Sequence, residues 1–235
     1  MNLNDYQNEF NKLIARQSFS SNLYPFRKDT FHKFLDSGLP TKKWEDWKHT
    51  DLSFLNKNIF RISETHDALS DSIDVSKYKI KNTYTAVIVN GHYIESKSEL
   101  PQELKILTNS EKKNWTPKNK KETPFDLLNT SLCDSNISIV TKPNTVIKKP
   151  IHILFLCSGK DNLMINPQVN IDIMASSSAT IIEQYVSDTS SFFQNTSVFA
   201  SLGKNSSLYH IRIHSNSDET ANISNLYVSQ SDDST

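Results

Sequence analysis

Glycine is scarce in this chain: only four of its 235 residues. That leaves no material for a phosphate-cradling loop, and neither G-x-x-x-x-G-K-[ST] nor G-x-G-x-x-G occurs. The glycine-flanked elbow of an acyl-transfer nucleophile, G-x-S-x-G, is missing for the same reason. Cysteine is confined to Cys133 and Cys157. Two residues are too few for a disulfide framework, and no C-x-x-C is present to hold zinc or a self-contained cluster. Neither sign of charge is in excess, since Lys+Arg and Asp+Glu number 26 each. Without a net positive field, nucleic acid and anionic membranes are not expected partners. Long apolar runs are absent too. The longest, Ile151 to Cys157, is interrupted by His152, far short of the ~20 residues a bilayer-spanning helix needs. Met1 to Phe10 is polar and acidic, unlike a secretory signal. These absences predict a soluble, cytoplasmic protein large enough to bury a substantial core.

What the chain does have is strands. From Asn136 to Thr235 short alternating segments follow one another with no helical period. Val169, Ile171 and Ile173 alternate with Asn170 and Asp172, and Tyr209, Ile211 and Ile213 with His210, Arg212 and His214. A period of two marks a half-buried strand, so Tyr209, Ile211 and Ile213 are read as the inner face and His210, Arg212 and His214 as the outer. Small polar clusters separate the strands, among them Ser176-Ser177-Ser178 and Gly203-Lys204-Asn205. Superposing these two clusters lays Ile171 on Val198, an offset of roughly 27 residues, inside the window of repeat architectures. Two folds fit: a β-solenoid, in particular a parallel β-helix, or an antiparallel sandwich.

The N-terminal third is helical. Leu3, Tyr6, Phe10, Leu13 and Ile14 recur at helical spacing, with Asn4 or Asp5 as cap. A second helix is predicted from Lys28 to Ser37, ending at Gly38 before Pro40. A third begins after Thr41 and carries Trp44 and Trp47 on one face, as packing groups in preference to a partner surface. Tyr84–Val89 reads as a strand turning at Asn90-Gly91, a strong hairpin signal. Leu100 to Leu107 reads as a further strand, Asn109 to Thr123 as a lysine-rich mobile loop, and Phe125 to Leu132 as a helix. The run Lys118 to Lys121 is read as solvated, not as an acidic-partner site.

The candidates for chemistry are few. Cys157 ends an apolar strand and reads as a buried thiol. His210 and His214 would need a third ligand to hold a metal. Asp172, Glu183 and Asp188 are the only acids that could serve a polysaccharide-cleaving β-helix.

The stretch Leu39 to Leu52, LPTKKWEDWKHTDL, holds Leu39, Pro40, Thr41, Trp47, Lys48 and Thr50 in an order that resembles the N-terminal signature of the SufB/SufD family, in its SufD branch. His49 stands where that family shows tyrosine. Asn90-Gly91 is similar to the family's V-x-V-N-G strand, Pro150-Ile151 to its P-I pair, and Glu183 with Tyr185 to its I-E-x-Y strand. Cys133 to Asn136 stands where relatives carry a small Asp-Gly turn.

The resemblance implies a mainly β fold with an α-helical N-terminal part: a right-handed parallel β-helix preceded by a small α/β region. The expected divisions are 1–55 helical, 56–123 mixed hairpin and loop, and 124–235 the start of the β-helix. It also implies a non-enzymatic scaffold for iron–sulfur cluster assembly, partnered by SufB and the ATPase SufC. The cluster would form at the SufB–SufD interface, with no cofactor bound by this segment alone and no metal ligand carried over. The alternatives are a SufB-like paralogue and a polysaccharide-degrading β-helix enzyme. Family members are longer, so the β-helix is expected to be cut short. On that reading 1–235 alone is poorly stable or self-associating and does not bind SufC.

Overall fold

A computed structural model describes residues 1–16, 23–64, 73–108, 122–133, 136–159, 162–188, 191–215 and 220–235. The expected loop and the Lys118–Lys121 run, apart from Glu122 and Thr123, lie outside these residues, as do Asp134 and Ser135.

Among the described residues, helices α1 (Leu3–Arg16), α2 (Leu23–Ser37), α3 (Ser53–Lys57) and α4 (Pro124–Leu132) accompany twelve strands. In chain order these are β1 (Arg61–Ile62), β2 (Tyr84–Val89), β3 (His92–Tyr93), β4 (Leu104–Thr108), β5 (Asn136–Thr141) and β6 (Ile151–Cys157). They continue with β7 (Leu163–Ile165), β8 (Gln168–Ile173), β9 (Ser178–Ser187), β10 (Phe192–Leu202), β11 (Ser207–Ser215) and β12 (Ala221–Gln230). From β5 onward the chain alternates between two parallel ladders, β5-β8-β10-β12 and β6-β9-β11. The result is a β-solenoid of about three turns, the parallel β-helix and not the sandwich. The N-terminal region extends both ladders, β2 pairing in parallel with β6 and β4 antiparallel to β5.

Inside the coil, like residues stack. Ile137, Val169 and Val198 share one row, and Ile139, Ile171 and Ala200 the next. Opposite them Ile151 stacks on Ile181. Val198 pairs with Val169, 29 positions earlier, two more than the polar clusters suggested, and the other rungs step by 28 to 32 residues. The scarcity of glycine is met at the corners by other residues. Asn144, Ser176 and Asn205 take left-handed conformations with φ of 57°, 56° and 56°, a shape asparagine tolerates through local hydrogen bonding. One corner does need glycine: a Cβ on Gly203 would lie 2.7 Å from the Ala175 backbone nitrogen.

The helical layer differs from expectation in three places. Asn2, not Asn4 or Asp5, caps α1: Asp5 N–H donates to Asn2 Oδ1 at 3.1 Å, while the Asp5 carboxylate accepts from Asn2 N–H. Helix α2 starts at Leu23, ahead of Lys28, because Pro25 falls in the first turn, where its missing N–H costs nothing. Trp44 and Trp47 lie not on an α-helix but around a short 3-10 turn, Glu45–Trp47. Trp47 packs on Phe125 at 5.0 Å between ring centroids, whereas Trp44 is 41% exposed.

Candidate functional site

The densest polar cluster lies inside the coil. Ile181, Glu183 and Tyr185 of β9 point inward, and the register sets His210 beside Ile181, Arg212 beside Glu183 and His214 beside Tyr185. The expected facing of β11 is therefore reversed. His210, Arg212 and His214 face the lumen, and Tyr209 is 70% exposed on the outside. The physical reason is Glu183, fully buried, because a carboxylate so placed needs cations and donors on its own face. His210 Nε2 lies 2.7 Å from Glu183 Oε1, Arg212 Nε donates to Oε2 at 2.9 Å, and the Tyr185 hydroxyl donates to Oε2 at 2.7 Å.

Burial works against ionisation of Glu183, but the His210 hydrogen bond and the Arg212 charge outweigh it and hold the carboxyl below its ordinary value. Burial and the neighbouring carboxylate push the Tyr185 phenol far up. Phe155, Tyr185 and His214 stack one ring per coil, at 4.6 and 4.7 Å. Burial and then Arg212 lower the His214 pKa. On the outer face of the same sheet, burial lowers His152 to about 4, with Gln184 acting in the other direction.

Both Glu183 oxygens are engaged, so the residue holds two coils together instead of offering a proton to a substrate. Asp172 lies on the outer face of the other ladder, and Asp188 accepts from Ser158 Oγ at 3.0 Å. The three acids do not line one groove, which removes the geometric basis for a polysaccharide-cleaving site. Among the described residues no group of three or more His, Cys, Asp or Glu could hold a metal ion. Cys133 and Cys157 are both buried. Among the described residues no helix is long and apolar enough to cross a membrane.

A second constellation joins α4 to the coil. Asp126 closes a capping box with Thr123, and its carboxylate also accepts from Asn225 Nδ2 at 3.0 Å and the Tyr227 hydroxyl at 2.7 Å. Asn129 Nδ2 donates to the carbonyls of Asn195 and Pro167, and Gln168 Nε2 donates to Asn129 Oδ1 at 2.7 Å. The ladder of buried amides continues through Asn136 and Asn170. None of these partners was singled out from the sequence. The strand amides fall at the alternating polar positions, which read the same whether that outer face is open or covered by α4.

The motif residues occupy separate parts of the fold. Leu39, Pro40 and Thr41 form the loop after α2. Trp47, Lys48 and Thr50 follow on the 3-10 turn, with Lys48 paired to Glu45 and Thr50 N–H bonded to the Trp47 carbonyl. Asn90 is a buried latch, its side chain accepting from Ser158 N–H and donating to Ser158 O, both at 2.9 Å. Gly91 follows at φ 86°, where a Cβ would meet Ile165 Cγ2 at 2.8 Å. The Pro150 carbonyl accepts from Tyr84 N–H, and Ile151 opens β6. Glu183 and Tyr185 are joined side chain to side chain, the Tyr185 hydroxyl donating to Glu183.

Two family models match consecutive parts of the chain. The SufBD protein N-terminal region covers residues 2–153, and the SufBD core domain of the SUF system for FeS cluster assembly covers residues 155–235. The iron–sulfur cluster assembly protein SufD of Escherichia coli (strain K12) is 24% identical over 201 residues. That alignment takes in 80% of this chain and 45% of the relative, so the chain spans less than half of the curated relative it matches.

Proposed function

Because the chain belongs to the SufB/SufD family, we propose that it is a SufD-like, non-catalytic scaffold subunit in iron–sulfur cluster assembly, working in the cytoplasm with SufB and the ATPase SufC. The observation that carries this reading is the unbroken succession of the two family regions along one chain. The Glu183 cluster supports a structural reading of its own residues, since its hydrogen bonds join neighbouring coils. The cluster is cargo in this reading, assembled at the SufB–SufD interface, and no resident cofactor is assigned. The helical segment 1–55, the hairpin segment 56–123 and the coil from 124 are three parts of one scaffold, and the motif residues Leu39 to Thr50, Asn90, Gly91, Pro150, Ile151, Glu183 and Tyr185 are structural.

Co-purification tests this. The tagged chain and, in parallel, the tagged E. coli relative are co-expressed with SufB and SufC. Retention of either protein on the tagged chain is the expected result. A folded chain that retains neither, beside a relative that retains both, overturns the reading.

A further inference from the structure

The outer face of the sheet formed by β2, β6, β9 and β11 is covered unevenly. At its β2 end the segment 73–79 lies over it, with Ile73 and Val75 buried in one cluster with Val87, Leu154 and Val186, and Tyr78 packed against that cluster. At the other edge Tyr209, Ile211 and Ile213 are exposed. The backbone bonds of the segment are internal, from Tyr78 N–H to the Val75 carbonyl and from Lys79 N–H to the Ser76 carbonyl. Among the described residues its polar ties to the fold are ammonium groups. Lys97 Nζ donates to the Ile73 carbonyl at 3.1 Å, and Lys79 Nζ to the Lys97 carbonyl at 3.0 Å. Side-chain burial, not a ladder, holds the segment down, which places it at the low-stability end of the fold.

On the same face, two positions before Leu154, stands His152, fully buried. Its partners in register are Thr85 of β2 and Ile182 of β9, neither of which titrates. Gln184, two residues beyond Ile182, favours the charged form of the imidazole, yet no hydrogen bond joins them. Both ring nitrogens of His152 and Gln184 Oε1 are without a partner. The one charge acting on His152 is the Lys79 ammonium, at the end of the segment, and it opposes protonation. Other charged groups lie further off. Glu99 pairs with Thr85 on the far side from His152 and is exposed, Lys148 and Lys149 are exposed ahead of β6, and Asp74 and Asp188 act on Lys77. A proton on His152 would therefore be a buried cation with no counter-charge and a like charge beside it, an arrangement a fold relieves by admitting water.

We infer that the segment 73–79 is an acid-released strap: protonation of His152 beside Lys79 lifts it and bares an apolar sheet face that continues through Ile182 to Ile211 and Ile213. The sign follows from linkage. Burial, with Lys79 adding to it, holds His152 at about 4 in the closed state, and its ordinary 6.5 returns once water reaches the ring. Closure is therefore complete above pH 6.5 and weakens about tenfold per pH unit from there down toward 4. This is independent of the scaffold assignment and stands or falls separately.

The test is hydrogen exchange on the full chain between pH 7.5 and pH 5, with the protection factors of the Tyr78 and Lys79 amides read against those of β10. Strap protection should fall about thirtyfold by pH 5, the ratio set by a ring held at about 4 when closed and at 6.5 when open, while β10 keeps its protection. His152→Leu copies Leu154 and Leu156 of the same face and should make strap protection independent of pH over this range. NMR titration of the His152 ring in the unsubstituted chain, which requires no variant to fold, should give a midpoint below 5. A midpoint at or above 5, strap protection that ignores pH, an unchanged pH dependence in His152→Leu, or an equal loss of protection in the strap and in β10 would each overturn the proposal.

Discussion

Glu183 shows how a residue can invert the reading of a strand one coil away. Hydrophobicity alone turns Tyr209, Ile211 and Ile213 inward, yet the lumen takes His210, Arg212 and His214 because a buried carboxylate must be answered on its own face. An offset of 29 residues would have set Arg212 beside Glu183, and the charge pairing would then have been legible; an offset of 27 sets His210 there instead. Glu183→Gln removes the anion and leaves two cationic or donor groups facing each other in the lumen. Removing one partner of a buried pair costs ~3–5 kcal/mol. Arg212 and His210 retain 22% and 14% side-chain exposure, so water recovers part of this and about 3 kcal/mol is expected. Urea denaturation at neutral pH measures it, and a loss under about 0.5 kcal/mol would mean that the pairing is energetically idle.

Among the elements, those specified by near neighbours were legible and those specified by distant ones were not. The β2–β3 hairpin follows from Asn90-Gly91, and Ile88 and Val89 pair with Tyr93 and His92 as a two-residue turn requires. The stripe of Phe125, Leu128 and Leu132 marks α4. Its placement is another matter, because Asp126 reaches Asn225 and Tyr227, 99 and 101 positions away. The segment around Trp47 was misread for a similar reason. One ring contact with Phe125 and backbone turns fix it, not a helical face. Asp126→Ala leaves Thr123 as the N-cap but removes the carboxylate half of the capping box, worth up to ~1 kcal/mol at a helix N-terminus, and two hydrogen bonds to a charged group, worth ~1.5–3 kcal/mol together after partial resolvation. A combined loss of about 3 kcal/mol follows. Hydrogen exchange should quicken in both α4 and β12. Quickening confined to α4 would show that the contacts to Asn225 and Tyr227 carry no load.

On the scale of the whole chain, the repeat was visible but its coupling to the N-terminal layer was not, because that coupling is made of aromatic residues scattered over the sequence. Tyr6 and Phe10 of α1, Phe31 and Phe34 of α2, and Phe125 of α4 share one buried cluster with Met164 and Phe193 of the coil. Phe125 touches both sides of it, its ring 5.0 Å from Trp47 and 6.2 Å from Phe193. The coil keeps its own stacked interior, but the helices pack only through this shared cluster, so the helices and the β10 strand beneath them should lose structure together. Phe125→Ala opens a cavity at that junction, for which large-to-small core substitutions cost ~3–5 kcal/mol. The loss should appear as one shifted transition, with equal displacement in exchange protection of α1 and of β10. If instead α1 exchanges freely while β10 keeps its protection, the helical layer is a separate unit laid on the coil, and the aromatic junction is a contact rather than a shared core.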